Sequence, residues 1–318
     1  MRILFMGTPD FAVPCLERLA ADGHELCGVF TRADKPKGRG YAMVPPPVKV
    51  TAQKLGIPVY QPPGLKDPAV AELIRSLAPE MIVVVAYGRL LPEAVLSIPP
   101  RGCVNVHASL LPKYRGAAPV QWAVINGEPV TGVTTMFMSK GLDTGDIILT
   151  KQTSVGAEET AGQLFEHLKP LGAALLSETL RLAQQGELPR RAQNDALSSY
   201  APQLQKTDGL LDFSQSAQTL HDRIRGLNPW PCAYTYLRGR VFKVHASRVA
   251  AGRLAEGLPG AVEDAGDEGI AVACGQGVLL LTGVQAEGGR RMPAVDYLRG
   301  HPIEKGTVLG GKPETAGA

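Results

Sequence analysis

An amide and an imidazole stand two residues apart in the stretch NVHASLLP, as Asn105 and His107, just ahead of a proline-closed turn at Pro112. On a β-strand, residues i and i+2 face the same way, so a strand ending here holds both side chains on one surface. Open parallel sheets bind ligands at the C-terminal ends of their strands, and the pair falls there. An amide N–H can stabilise charge building on a carbonyl oxygen, and an imidazole can carry a proton near neutral pH. Farther along, GLDTGD sets Asp143 and Asp146 in a glycine-bounded turn between two strands. A turn of that composition is ordinarily only a turn, yet either aspartate could reach His107 and hold its ring.

Two further stretches bear on binding. Gly7-Thr8-Pro9-Asp10-Phe11 follows the first strand and opens a helix, where an α/β fold offers backbone N–H groups to an anion. A single glycine does not make G-x-G-x-x-G, so a dinucleotide-dependent dehydrogenase is set aside. The plainer reading is a helix capped by Thr8 with Pro9 in its first turn. Residues 32–49 hold Arg32, Lys35, Lys37, Arg39 and Lys49 against Asp34 alone, directly after the second strand. Cations at that edge suit the phosphates of a nucleic acid.

The elements that must position these residues fall into two textures. Up to about Tyr200, apolar strand-like runs such as RILFM and EMIVVVAY alternate with helical patterns, which points to a parallel sheet covered by helices. Leu164, Leu168, Leu171 and Leu175 recur at helical spacing, and Pro170 should kink or split that helix. After the polar QNDALSSYAPQLQKTDG come a helix near SAQTLHDRIRGL and several short, glycine-punctuated strands, the pattern of a small β-barrel. The chain therefore divides into residues 1–190, a linker at 191–206, and a second domain at 207–318. In the second, Arg223, Arg225, Arg238, Arg240, Lys243 and Arg248 offer a further phosphate-facing set.

Composition excludes other classes. With 44% hydrophobic and 20% charged residues in 318, and no apolar run approaching the roughly 18 residues of a membrane span, the chain reads as an ordinary globule. MRILFMG lacks the features of an export signal, so the location expected is cytoplasmic. The five cysteines form no C-x-x-C pair, which argues against a disulfide framework or a cysteine zinc site and for buried, inert thiols. A net charge of +3 is too small to signal nucleic acid by itself.

NVHASLLPKYRGAAPVQWAVINGE followed by GLDTGDI resembles the folate-dependent formyltransferase family. GTPDF, VFTRADKPKGRG, VVVAYGRLLP and NPWP extend the resemblance over the whole chain. It implies a Rossmann-like α/β formyltransferase domain followed by a smaller OB-like β-barrel. It also implies transfer of a formyl group from 10-formyltetrahydrofolate to the α-amino group of methionine on initiator tRNA, without a metal and as a monomer. Asn105, His107 and Asp143 then match the catalytic triad, Ser109, Leu110, Leu111 and Pro112 the folate-binding loop, and Arg32, Lys35, Lys37 and Arg39 a tRNA contact. Ala108 stands where some members have glycine. Members fused to a dehydrogenase are longer, and the glycinamide ribonucleotide transformylases are shorter and lack the barrel. A non-enzymatic RNA-binding module would leave Asn105, His107 and Asp143 idle.

Overall fold

Strand runs that are apolar at every position, such as MIVVV, need cover on both faces, and the first half of the chain supplies it. The computed structural model describes residues 1–37, 42–186 and 188–310. Its strands up to the middle of the chain are β1 (Arg2–Gly7), β2 (Glu25–Phe30), a hairpin of β3 (Lys35–Lys37) and β4 (Ala42–Val44), β5 (Val59–Tyr60), β6 (Met81–Val85), β7 (Cys103–His107), β8 (Arg115–Gly116), β9 (Val130–Phe137), β10 (Ile147–Ser154) and β11 (Tyr200–Ala201). Between them run α1 (Val13–Ala21), α2 (Pro47–Lys54), α3 (Pro68–Ser76), α4 (Glu93–Leu96), α5 (Pro119–Ile125) and α6 (Ala161–Gln185). Seven strands form one sheet in the order β10-β9-β7-β6-β1-β2-β5. The chain builds outward from β1 to β2 and β5, then returns to lay β6 on the other side of β1, which creates a topological switch point. Leu4, Met6, Phe30, Ile82, Val84 and Tyr87 are buried together in the core of this sheet.

Three local expectations are revised. The parallel arrangement holds from β5 to β7, but β9 runs antiparallel to both β7 and β10. The short connection between β9 and β10, residues 138–146, explains one of these pairings, because a parallel crossover needs a dozen residues or more. Thr8 does not cap a helix: its hydroxyl donates to the Tyr87 carbonyl at 3.3 Å, and α1 begins only at Val13 after one 3₁₀ turn. Pro170 neither ends nor splits α6, which continues through it. Buried Leu168, Leu175, Leu176 and Leu180 hold the helix on both sides of the missing hydrogen bond.

Two compact units emerge, each discontinuous in sequence. The first comprises residues 1–119, 130–154 and 165–202; the second comprises 120–129, 155–164 and 203–318. Contiguous domains meeting at a linker of residues 191–206 were the simpler expectation. Residues 191–202 instead belong to the first unit, where β11 pairs in parallel with β8.

The second unit contains α7 (Ala217–Gly226), β12 (Ala233–Leu237), β13 (Arg240–Val249), β14 (Val262–Gly266), β15 (Gly269–Ala273), β16 (Val278–Ala286), β17 (Met292–Pro293) and α8 (Ala294–Gly300). Ser216 caps α7 by accepting from the Thr219 amide at 3.1 Å. The strands make one antiparallel six-stranded sheet along β12-β13-β16-β15-β14, with β17 added to β16. Register shifts around Ala246 bend β13 as it crosses the sheet. Among the described residues no helix is long and apolar enough to cross a membrane.

Candidate active site

Strand β7 lies between β6 and β9, with Asn105 beside Val84 on one side and Met136 on the other. Period two sends Asn105 and His107 to the same face, as the sequence led us to expect. Both are buried, at 8% and 6% exposure. The Asn105 carboxamide makes no hydrogen bond to any described residue. Its polar atoms are not among those sealed from solvent, so the amide is open to a ligand.

His107 is oriented by backbone. Its Nε2 lies 2.9 Å from the Tyr114 carbonyl oxygen, which can only accept, so Nε2 carries a hydrogen. The opposite nitrogen, Nδ1, faces Asp143 Oδ2 at 3.7 Å. That separation is within ion-pair range but too long for a hydrogen bond. Nδ1 is therefore the atom left to gain and lose a proton.

Asp143 is supported from three directions. Its backbone sits in the left-handed region at φ 52°, which aspartate tolerates better than most residues. The Gly116 amide donates to Oδ2 at 2.9 Å. Gln193 Nε2 donates to the carbonyls of Asp143 and Gly145, both at 2.8 Å, while Gln193 Oε1 accepts from Arg115 Nε and Nη2. Asp146, the other aspartate of the turn, points elsewhere, with Oδ2 3.6 Å from Arg190.

Residues 109–112 form a loop braced from within. Ser109 is fully buried; its hydroxyl donates to the Lys113 carbonyl at 2.7 Å, and its own carbonyl accepts from Thr134 Oγ1 at 2.6 Å. Thr134 Oγ1 in turn accepts from the Leu111 amide at 3.2 Å, and the Leu111–Pro112 peptide bond is cis. Leu111 is buried, whereas Leu110 and Pro112 are half-buried. Ser109 and Leu111 thus shape this loop, and Leu110 and Pro112 are the more accessible members.

The basic segment lies at the end of β2, three strand spacings from β7, or roughly 14 Å. Arg32 donates from Nη1 to the Gly88 carbonyl at 2.8 Å, and Lys35 is exposed on β3. Lys37 closes β3, and Arg39 lies outside the described residues. Lys49 is not a free cation: it bonds Asp34 at 2.8 Å and Gln61 at 2.9 Å, and together they hold the Asp34 carboxyl below its ordinary range.

Cys15, Cys27, Cys103 and Cys274 are buried as expected, and burial pushes Cys15 and Cys103 up to about 12. Cys232 is only half-buried and lies 3.8 Å from His245 Nδ1. Among the described residues no group of three or more His, Cys, Asp or Glu side chains is arranged to hold a metal ion.

The features that composition and spacing did not single out are Tyr114, which acts through its carbonyl, and Gln193. Gln193 sits in a polar stretch with no periodicity to mark it.

The formyl transferase family model matches residues 1–180, and the model of the formyl transferase C-terminal domain matches residues 203–302. A methionyl-tRNA formyltransferase of Citrifermentans bemidjiense is 49% identical over 317 residues, covering 100% of this chain and 99% of its own. One from Syntrophus aciditrophicus is 51% identical over 310 residues, covering 97% of this chain and 98% of its own. Among solved structures, HypX from Aquifex aeolicus, in complex with tetrahydrofolic acid, superposes with a TM-score of 0.64 at 17% identity, over 98% of this chain and 51% of that one. An N-formyltransferase from Helicobacter canadensis superposes with a TM-score of 0.66 at 16% identity, over 91% and 99%. Those two share the fold, while the family models and the full-length relatives settle the lineage: this chain belongs to the formyl transferase family.

Proposed function

We propose that the chain transfers the formyl group of 10-formyltetrahydrofolate to the α-amino group of methionine esterified to initiator tRNA. The products are N-formylmethionyl-tRNA and tetrahydrofolate. The observation that carries the chemistry is the buried Asn105 carboxamide, without a hydrogen-bond partner among the described residues, on the same strand face as His107. Half identity along the full length of methionyl-tRNA formyltransferases supports the choice of acceptor.

The amine attacks the formyl carbon, and the carbonyl electrons move onto oxygen. Asn105 donates its N–H to that oxygen as charge develops. His107 Nε2–H is given to the Tyr114 carbonyl and does not serve as a second donor to that oxygen. His107 instead takes the amine proton at Nδ1 and delivers it to N10 of the folate as the C–N10 bond breaks. The Asp143 carboxylate stands 3.7 Å from Nδ1, beside the ring that carries the proton. The loop of residues 109–112 offers Leu110, Pro112 and its backbone to the folate, and the Lys35 hairpin meets the tRNA acceptor arm. We place the reaction in the cytoplasm, with the chain acting as a monomer.

The test is direct: purified protein, charged initiator tRNA and 10-formyltetrahydrofolate should yield N-formylmethionine on the tRNA with matching release of tetrahydrofolate. Turnover confined to free methionine or to an amino sugar nucleotide would overturn the reading.

A further inference from the structure

Residues 190–201 are a strap closed over the Asp143 turn. At one end Arg191 and Ile147 exchange backbone hydrogen bonds at 2.9 and 3.0 Å. In the middle, Gln193 grips the carbonyls of Asp143 and Gly145. At the other end the Ser199 carbonyl accepts from the Arg115 amide at 2.8 Å, the Ser199 hydroxyl accepts from the Tyr114 amide at 2.8 Å, and the Ala201 carbonyl accepts from Ala117 at 2.9 Å.

This register decides where Tyr200 goes. Ala201 is fully buried, so its neighbour on the strand must face outward, and Tyr200 is 64% exposed. Beneath its ring is Gly116, with φ 117°; a Cβ there would come within 2.8 Å of the ring and 2.7 Å of the Ala201 carbonyl oxygen. The ring therefore rests on bare backbone with most of its surface open. Gly116 is the residue whose amide binds Asp143 Oδ2, so the ring borders the proposed reaction centre.

We propose that Tyr200 is a stacking platform for an unpaired nucleobase at the 3′ end of the aminoacyl-tRNA. This rests on the acceptor proposed above. The aminoacyl ester sits on the terminal ribose, so the α-amine and the attached base are separated by a handful of single bonds, roughly 8 Å. An amine delivered to His107 leaves the base in the neighbourhood of the strap. An exposed aromatic ring is what single-stranded nucleic acid binders use to hold a base without reading its edge. The platform would position the acceptor end and leave folate binding untouched.

The experiment compares Tyr200→Ala, Tyr200→Leu and Tyr200→Phe in formylation kinetics, together with binding of uncharged tRNA carrying 2-aminopurine in place of its 3′-terminal adenine. Y200A and Y200L should raise KM for methionyl-tRNA about tenfold, within the range that loss of one base stack gives, with folate KM unchanged. Y200F should match the parent. Fluorescence of the 2-aminopurine should be quenched on binding the parent and Y200F but not Y200A or Y200L. Rescue by leucine would show that the ring only covers Gly116, and quenching retained in Y200A would show that the base stacks elsewhere; either overturns the proposal. A parent protein inactive on methionyl-tRNA would instead refute the acceptor assignment, a separate outcome.

Discussion

Replacing Gln193 asks whether Asp143 must be held to function. Its amide nitrogen donates to two carbonyls of the turn, those of Asp143 and Gly145, each at 2.8 Å. A hydrogen bond of this kind contributes a net of about 1 kcal/mol, so the pair restrains the turn by about 2 kcal/mol. Against this stands the left-handed backbone of Asp143, at φ 52°, which costs about 1 kcal/mol. Removing the restraint should raise the ratio of displaced to native arrangements about thirtyfold. If those arrangements are inactive, the balance moves from about 1 kcal/mol for the native turn to about 1 kcal/mol against it, so Gln193→Ala should lower kcat about fivefold, with little change in KM for either substrate. Gln193→Glu is the sharper variant. It keeps the size and the acceptor for Arg115 but turns a carboxylate oxygen toward two carbonyls, so it should be at least as slow as Q193A. Steady-state kinetics on both variants, with Asp143→Ala and the double mutant Q193A/D143A, complete a cycle in which the losses should be strongly less than additive. A Q193E enzyme with parental kcat, or fully additive losses, would refute the idea that Gln193 acts through Asp143.

Four other outcomes follow from the structure. Asn105→Ala should lower kcat by about two to three orders of magnitude with folate affinity little changed, as loss of one oxyanion donor does; stopped-time formylation assays measure it. Changing Lys35, Lys37 and Arg39 together to Ala should raise KM for tRNA and flatten the salt dependence of binding, each lost phosphate contact lowering the log–log slope by roughly 0.7 to 0.9. An unchanged slope would remove the hairpin from the tRNA interface. Arg225 bonds Asp222 at 2.7 Å, with both side chains buried, and donates to the carbonyls of Gly156 and Glu159. Arg225→Ala strands the carboxylate and should cost about 3–5 kcal/mol in denaturant titration. His245 is held below its ordinary 6.5 by burial, reinforced by Arg291 and Lys243 and opposed by its Gln285 acceptor. The unfolded chain then takes up this proton first, so stability should begin to fall as pH drops below about 6.5, and His245→Gln should fall less steeply.

The placement of Asn105 and His107 on one face was readable in advance because strand periodicity is a local property, and the strand ends at His107. The choice between Asp143 and Asp146 was not readable from the turn itself. The fold makes it, with the Gly116 amide receiving one carboxylate and Arg190 the other. The orientation of His107 was hidden for a different reason: its partner is the backbone carbonyl of Tyr114, and any residue type carries a carbonyl. Residues 191–202 looked like a linker because they are polar and aperiodic, yet their hydrogen bonds go to other loops, which no periodicity records. Pro170 misled in the opposite sense, since local propensity was outweighed by buried leucines on both sides. The texture of β9 announced a strand but carried no information about its direction.

The backbone at Asp143 also constrains how this site can drift over generations. A left-handed position accepts glycine, asparagine and aspartate most readily. Of the codons one nucleotide away from aspartate, those for glycine and asparagine satisfy the chain but discard the charge. The glutamate codons keep the charge on a longer arm, in a residue that left-handed backbone does not favour. No single step therefore preserves both properties, and exchange at this position would have to pass through a damaged intermediate.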